Sequence, residues 1–458
     1  MPWVLGDPAY AAKPVRRNTI DFTITDALKD MVTHNSLNTA QCYFWVYKEA
    51  SFAADCPAPL IFATSGDTMF FNITNALTEP HALFIPGPPG QPPMFDSGPI
   101  APGQTISRKV KVGPAGSYLY YDNLNAPVNR MMGLHGALVV MPRKAAPGQR
   151  FTPYDNPTPA VQRLFNELGT AHWPGLAWEQ GDPNHATFAP PFRQYIWVLH
   201  QPSSHLFAEV GQFAQQNPGQ LFPAQSFIDA LHNEAFVPAG TWGGSRKSDY
   251  FTINGQSGHF AHNNPYLCPN LRVGEPCVIR VLNAGMQMHS IHIHCNHQYV
   301  LSYEGQQRDN LWWVDTASAR PMGGFEWLNP YMRSPDVPNV LGIGRADLSP
   351  GLPTLATDGH LTWPPTEELN TFIPPVGTMA GGVDISVRLS PLCFPMHDHC
   401  EPSQTAQGGN YNCGMISGMN ITGDRTLPGG VVTFPNEGHI GHGPMRTGLA
   451  APEMKGPA

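Results

Sequence analysis

The sequence predicts an all-β protein built from two tandem β-sandwiches, with long loops and a few short helices. The chain of 458 residues contains 49 prolines and 45 glycines, which break helices and interrupt the sequence every few positions. Between them lie short runs rich in β-branched and aromatic residues, such as TMFFNIT, SYLYYDN, GALVVMP, CVIRVL and VDISVRL. Such runs are typical of sandwich strands, and a chain of this length exceeds one ordinary core.

Two of the predicted units share an order of parts. Each has a strand entered at a Gly-Asp or Gly-Glu pair, a stretch containing histidine, a Pro/Gly loop, and a late strand next to a Gly-Met or Gly-Leu turn. This weak internal similarity predicts two copies of one sandwich. Helical segments are predicted at 159–169 and 223–235. The predicted boundaries are an N-terminal arm at 1–19, a first sandwich at 20–143, a linker at 144–190, a second sandwich at 191–424 with loop and short-helix insertions at about 203–240 and 303–375, and a tail at 425–458.

Charge and hydropathy exclude two classes of partner. The net charge is −8, only 13% of the residues are charged, and the lysines and arginines are scattered, so we expect no nucleic-acid partner. No run of about 18 apolar residues exists, so no membrane span is predicted.

The cysteine count bears on the compartment. The eight cysteines include two pairs that each flank one short loop, Cys42 with Cys56 and Cys268 with Cys277. An even count with such spacing predicts disulfides and an oxidising compartment, and reduced buried thiols are the alternative. The N-terminal residues do not have the pattern of a secretory signal. We therefore expect an exported protein, periplasmic or extracellular, whose leader is absent from this chain, with a cytoplasmic location as the alternative.

Two histidine-rich stretches predict a metal site. The first, GMQMHSIHIHCNHQYV at 285–300, contains His292 and His294, and the second, CFPMHDHC at 393–400, contains His397 and His399. Alternate side chains of a strand share a face, so each pair points one way. Four converging imidazoles suit copper or zinc, because buried histidines without a cation need other hydrogen-bond partners. Histidines satisfied by water and backbone are the alternative.

These stretches resemble the multicopper oxidases, which are built from cupredoxin-like Greek-key β-sandwiches. The family's H-P-x-H-x-H-x-H segment is matched, with one extra residue, by HSIHIHCNH, and its late H-C-H, followed by Gly-Met, is matched by HDH and CGM. In the first unit, EPHALFIPG, GSYLYYDN and GLHGALVV stand where the family's first domain has its two histidine pairs and its closing strand. Two such domains are similar to the two-domain small laccases, which are trimers with copper between subunits.

The resemblance implies copper as the cofactor and assigns ligands position by position. His289 matches the histidine of the type 1 copper. Leu83, Tyr121 and Asn123 stand where three further cluster histidines are expected. Five of the eight ligands of a three-copper cluster are matched, by His81, His292, His294, His397 and His399.

The main departure is Asp398, which replaces the cysteine whose thiolate forms the type 1 site. Cys400 is predicted to face the side of the strand opposite the histidines, and Cys413 has no histidine after it at ligand spacing, so a disulfide between these two is an alternative use for them. His200 and His205 are predicted to be loop residues.

The predicted function is that of a divergent, copper-binding oxidoreductase of the multicopper oxidase type that lacks a normal type 1 site. It would act on a small molecule or a metal ion and form a homo-oligomer, with a trimer as one form. The alternative is a copper-storing or metal-free extracellular protein with a structural role in assembly.

Overall fold

The structure is a computed structural model that describes residues 3–5, 15–16, 18–31, 40–167, 192–232, 247–258, 261, 264, 267–273, 276–294, 296–331, 392–406 and 411–424. Within this part of the chain four β-sheets pack in pairs to form two sandwiches, and few residues are helical. The predicted all-β class is confirmed. No helix in the described part is long and apolar enough to cross a membrane.

The first sandwich contains eleven strands. Its four-stranded sheet has the order β4-β3-β6-β9, and its seven-stranded sheet has the order β2-β1-β5-β11-β10-β7-β8. The non-sequential neighbours show that strands cross between the sheets, and the parallel pairs β3–β6 and β5–β11 arise from these crossovers. The strands are β1 (Trp3–Leu5), β2 (Val15–Arg16), β3 (Thr19–Met31), β4 (Ala40–Glu49), β5 (Leu60–Thr64), β6 (Thr68–Asn75), β7 (Phe84–Ile85), β8 (Phe95–Asp96), β9 (Thr105–Lys111), β10 (Gly116–Tyr121) and β11 (His135–Met141).

The second sandwich pairs a six-stranded sheet with a five-stranded sheet. Their orders are β13-β12-β15-β20-β17-β18 and β14-β22-β21-β16-β19. The strands are β12 (Arg193–His200), β13 (Thr252–Ile253), β14 (Asn270–Val273), β15 (Cys277–Asn283), β16 (His289–Ile293), β17 (Gln298–Tyr303), β18 (Gln306–Val314), β19 (Thr316–Ala319), β20 (Gly324–Asn329), β21 (Leu392–Asp398) and β22 (Ile416–Asp424).

The two sandwiches share an apolar interface as well as having a core each. Every residue of β11 is buried, because one face packs in the first core and the other meets the second sandwich. Phe62 and Val139 from the first sandwich and Val198 and Leu301 from the second belong to this shared layer. Each such side chain contributes about 1.5–3 kcal/mol when fully buried, so the two sandwiches stabilise each other.

Helices connect and cover the sheets. Both helical predictions hold where the structure describes them, and the insertion after β12 forms two helices. The first of these packs on β4 of the first sandwich through Leu206, Phe207 and Val210, so the insertion contributes to the other domain's core. The helices are α1 (Val128–Met131), α2 (Pro159–Glu167), α3 (Ser204–Gln216), α4 (Ala224–His232) and α5 (Glu401–Thr405).

Three sequence predictions need correction. The N-terminal arm contributes strands β1 and β2 to the first sandwich. The start of the predicted loop insertion at 303–375 instead forms β18, β19 and β20. Every residue of β20, including Trp327, is buried, so this strand shows no alternation in the sequence. Residues 332–391 lie outside the described part. No disulfide joins any two of the six cysteines whose side chains are described, Cys42, Cys56, Cys268, Cys277, Cys400 and Cys413.

Candidate metal centre

Four histidines meet on the solvent-facing side of the five-stranded sheet, where β16 and β21 run side by side. The strands are antiparallel, and His292 lies directly opposite His397. Because side chains alternate between the faces of a strand, His294 and His399 emerge on the same side. We call these four residues the histidine cluster.

Three members of the cluster are close enough to share one ion. The Nε2 atoms of His294 and His397 are 2.9 Å apart. One ligand atom each from His292, His294 and His397 lies within 4.8 Å of the others. The exposed ring of His399 lies beside them, with its centroid 5.0 Å from the rings of both His292 and His397. His399 therefore lies at the solvent-exposed edge of the histidine cluster, which we call its rim.

Hydrogen bonds fix two of these imidazoles in the tautomer that a metal requires. The hydroxyl of Thr316 donates to Asp315, so the same oxygen accepts from Nδ1 of His292 at 2.9 Å. The hydroxyl of Tyr411 donates to a backbone carbonyl, so it accepts from Nδ1 of His397 at 2.7 Å. Each ring thus carries its proton on Nδ1 and its lone pair on Nε2, and the lone pair of His397 accepts from Nε2 of His294.

The environment keeps these imidazoles neutral. Burial lowers the pKa of His292 and His397, and the neighbouring imidazoles lower both further. The pKa of His294 is also lowered, by burial and then by His292 and His399. Since a metal binds the neutral ring, the cluster is prepared to accept a cation.

The other face of the same strands carries a different set. His289 is completely buried and bonds through Nδ1 to Asp398, with 2.6 Å between Nδ1 and Oδ2. The second oxygen of Asp398 accepts from the backbone N–H groups of Ser290 and Cys400, both at 3.0 Å. The thiol of Cys400 lies near this pair, and burial raises its pKa to about 11. The position predicted for a type 1 cysteine therefore holds a carboxylate bonded to His289.

The first sandwich repeats this pair. His81 is buried and bonds through Nδ1 to Asp122 at 2.7 Å, and Asn129 donates to the same carboxylate oxygen at 3.0 Å. Asp122 follows β10, just as Asp398 ends β21. In both pairs Nε2 of the histidine has no hydrogen-bond partner within the described part of the chain. His81 is therefore the counterpart of His289.

This equivalence corrects the ligand assignment for the first sandwich. In its sheet, Phe84 pairs with Tyr121, as His292 pairs with His397 in the second. The prediction placed His81 at a cluster position, three residues away from the position that the pairing of Phe84 with Tyr121 defines. A single histidine in EPHALFIPG does not determine which histidine of the family motif it matches. His81 has no exposed surface, so it joins neither the histidine cluster of its own chain nor that of a neighbour in this conformation.

The donor set of the histidine cluster fits copper. Copper, zinc, iron and nickel all accept imidazole, and the absence of carboxylates inside the cluster disfavours magnesium and calcium. The rings of His292 and His397 are oriented by the hydrogen bonds of their Nδ1 atoms, an arrangement usual for metal ligands. Sequence reasoning found the histidines but missed Thr316 and Tyr411, because no motif marks a residue that bonds a ligand from another strand.

Comparison with known proteins finds a similarity in the first sandwich. The multicopper oxidase family model matches residues 45–145. A multicopper oxidase from Talaromyces pinophilus, named MCE, is 30% identical over 98 residues, which cover 20% of this chain and only 16% of that relative. Residues 45–145 are thus similar to a multicopper oxidase domain, and this similarity implies copper as the cofactor.

Solved structures of similar architecture include copper proteins. A blue copper oxidase from Nitrosomonas europaea is 17% identical, with 88% of this chain and 85% of that chain covered at a TM-score of 0.49. A copper nitrite reductase from the same organism is 13% identical, with 88% and 94% covered at a TM-score of 0.45.

Proposed function

We propose that the chain is a copper-binding oxidoreductase of the multicopper oxidase type that works without a cysteine-ligated type 1 copper. The observation that carries the proposal is the histidine cluster, in which His292, His294 and His397 bring their ligand atoms within 4.8 Å of one another. A set of imidazoles this close, with tautomers fixed by Thr316 and Tyr411, directs Nε2 lone pairs towards one point where a cation can bind.

The carboxylate of Asp398 supports the second half of the proposal. A type 1 copper requires a soft thiolate between two histidines, and a carboxylate is a hard ligand that cannot replace it. Asp398 is also fully engaged, since its two oxygens accept from His289 and from two backbone N–H groups. Without that centre we expect no laccase-type relay of single electrons into a copper cluster.

The residues around the cluster suggest how a substrate reaches it. Bound copper supplies one-electron chemistry. The ring of His399 is exposed, and the carboxylate of Asp315, with a side chain 48% exposed, lies 3.7 Å from Nδ1 of His292. This rim is open to a small molecule or a metal ion from solvent, and Asp315 favours a cationic one. We also propose that the protein is exported and that it forms a homo-oligomer, as the small laccases do. Light scattering on the purified protein tests the oligomeric state.

Elemental analysis with matched variants tests the copper site. Copper is measured in protein from its native source and in His292→Ala and His397→Ala variants, with His205→Ala, an exposed histidine on α3, as the control. We expect the two cluster variants to lose copper and the control to retain it. Copper content unchanged by both cluster substitutions contradicts the site.

Two optical and kinetic readouts test the rest. The loaded protein is expected to lack intense absorption at about 600 nm, because that band requires a thiolate-bound Cu(II) in a type 1 site. Oxygen uptake with phenols or reduced metal ions measures oxidase activity. Copper that is retained without any oxidation chemistry would instead favour the storage role.

A further inference from the structure

A second group of metal-type donors, which shares no residue with the histidine cluster, lies at the junction of the two sandwiches. Cys56 comes from the loop before β5, His135 begins β11, and His200 ends β12. Their exposed fractions are 2%, 0% and 1%, and their ligand atoms lie within 4.8 Å of one another. We call these three residues the junction cluster. His200 is a buried strand residue, so its prediction as a loop residue was wrong.

Hydrogen bonds orient both imidazoles towards the centre of this cluster. Nδ1 of His135 donates to the backbone carbonyl of Arg130 at 3.0 Å, which leaves the lone pair of Nε2 facing Cys56 Sγ at 4.0 Å. Nε2 of His200 donates to the carbonyl of Met131 at 2.9 Å, and its buried Nδ1 has no hydrogen-bond partner in the described part of the chain. Histidines held by backbone carbonyls with the other nitrogen bare are typical of metal ligands.

The surroundings hold the three side chains together. The rings of His135 and His200 contact each other edge to face, with centroids 4.4 Å apart. A Cβ on Gly133 would lie 3.2 Å from Cys56 Sγ, so the chain passes close beneath the thiol. Tetrahedral or trigonal coordination places a sulfur and a nitrogen donor about 3.5–3.8 Å apart, so the 4.0 Å between Cys56 Sγ and His135 Nε2 needs only a small contraction to take an ion.

Charge decides which ion suits the junction cluster. Burial is the main cause that lowers the pKa of His135 to about 4. The nearby positive charge of Arg130 lowers it as well. A further cation must therefore be neutralised locally. One thiolate neutralises Cu(I) completely but leaves a buried positive charge with Zn(II), and a thiolate with two imidazoles suits soft Cu(I).

We propose that Cys56, His135 and His200 bind one Cu(I) ion that cross-links the two sandwiches. On binding, the Cys56 thiol loses its proton to solvent, the Cu–S bond forms, and no electron is transferred. The ion has a structural role, because the cluster is closed to solvent and its ligands come from both domains. This site is separate from the histidine cluster and does not depend on the proposed function.

The test counts metal in variants that already lack the histidine cluster. A His292→Ala/His397→Ala background is produced in copper-supplemented medium, purified without air, and analysed for copper and zinc. We expect one copper per chain, which is lost on adding Cys56→Ala or His200→Gln. Adding Cys42→Ala, an equally buried cysteine outside the cluster, is the control and should leave the copper in place. X-ray absorption at the copper edge should show a sulfur neighbour that Cys56→Ala removes.

Other outcomes overturn the proposal. These are a background protein with no metal, copper retained by Cys56→Ala, or zinc as the ion found. The single variant Cys56→Ala, with the histidine cluster intact, shows whether the substituted chain folds, because it should still bind copper there and give the circular dichroism of the parent. Loss of the junction copper with retention of the cluster copper separates this site from the proposed function.

Discussion

Both carboxylate oxygens of Asp398 accept hydrogen bonds, so replacing it by asparagine tests how much these bonds stabilise the protein. One oxygen accepts from His289 and the other from two backbone N–H groups, so an amide must turn its NH₂ towards a donor on one side. We expect Asp398→Asn to lower the free energy of unfolding by about 2–4 kcal/mol, the cost of a buried donor without an acceptor next to a histidine that loses its charged partner. Urea unfolding measures it. Asp309→Asn, at an exposed position, is the control, and equal small effects of both would contradict the argument.

The buried pair in the first sandwich gives stability a pH dependence of known sign. Burial opposes protonation of His81, but the hydrogen bond to Asp122 and the carboxylate of Glu79, 3.7 Å from Nε2, outweigh it and raise the pKa of His81 above 6.5. A group whose pKa is raised by folding stabilises fully below its unfolded pKa and loses that contribution as the pH rises through the folded value.

We therefore expect His81→Gln to cost more stability at about pH 6 than at about pH 9. The free energy of unfolding of parent and variant is compared in urea at the two pH values, with His205→Gln as the exposed control. Below about pH 4.5 the comparison loses meaning, since Glu79, whose pKa is lowered by His81 and Thr78 despite its burial, begins to protonate. A cost that grows with pH contradicts the assigned charge on His81.

Individual residues differ in how far sequence alone could assign them. The side of the sheet on which His292 and His397 lie can be predicted, because each has a second histidine two residues further along its strand. Their pairing follows once β16 and β21 are known to be neighbours. His81 was misassigned, since a single histidine in a Pro-rich segment fits more than one register. The spacing of Cys42 and Cys56 predicts a disulfide. It cannot show that Cys56 lies next to His135, which is 79 residues away in the sequence.

At the level of elements, Gly133 controls how the chain passes from α1 into β11. Its φ of +119° is one that L-residues rarely adopt, and an added Cβ would lie 2.6 Å from the Trp45 carbonyl. Gly133→Ala should therefore lower the free energy of unfolding by about 2–4 kcal/mol, through strain and collision together. Gly148→Ala is the matched control, because Gly148 also has positive φ but open space around it; thermal unfolding of both variants separates the two effects. Equal losses would assign the whole effect to backbone strain.

Some strands show a period in the sequence. In β6, predicted from TMFFNIT, the buried residues Met69, Phe71 and Ile73 alternate with less buried ones. β11, β15 and β20 are buried on both faces, and only the first two stood out as apolar runs. β20 has the sequence GFEWLN, which includes the buried Glu326. A charged residue is not expected in a buried strand unless its partner, here Arg280, is known, so the strand was not predicted.

For the whole molecule, the decisive contact is a buried ion pair of the second sandwich that also bonds to the first half of the chain. Arg280 bonds to Glu326 at 2.5 Å, and the carboxylate also accepts from Ser117 and Tyr154 of the first half of the chain. Burial alone would raise the pKa of Glu326, but Arg280 and the hydroxyl donors hold it below the ordinary value. The carboxylate therefore stays charged, and it ties both sandwiches to one position.

Breaking this pair should destabilise the whole protein rather than one domain. Glu326→Gln leaves the completely buried guanidinium of Arg280 without its counter-charge, which typically costs about 3–5 kcal/mol. The shared apolar layer beneath it couples the two sandwiches, so we expect one unfolding transition that moves to lower urea, measured by both tryptophan fluorescence and circular dichroism. Glu304→Gln removes the partner of the exposed Arg320 and is the matched control, expected to leave the midpoint unchanged because solvent screens that pair. Two separate transitions in Glu326→Gln would show that the hydrogen bonds from Ser117 and Tyr154 to this carboxylate, more than the apolar layer, hold the sandwiches together.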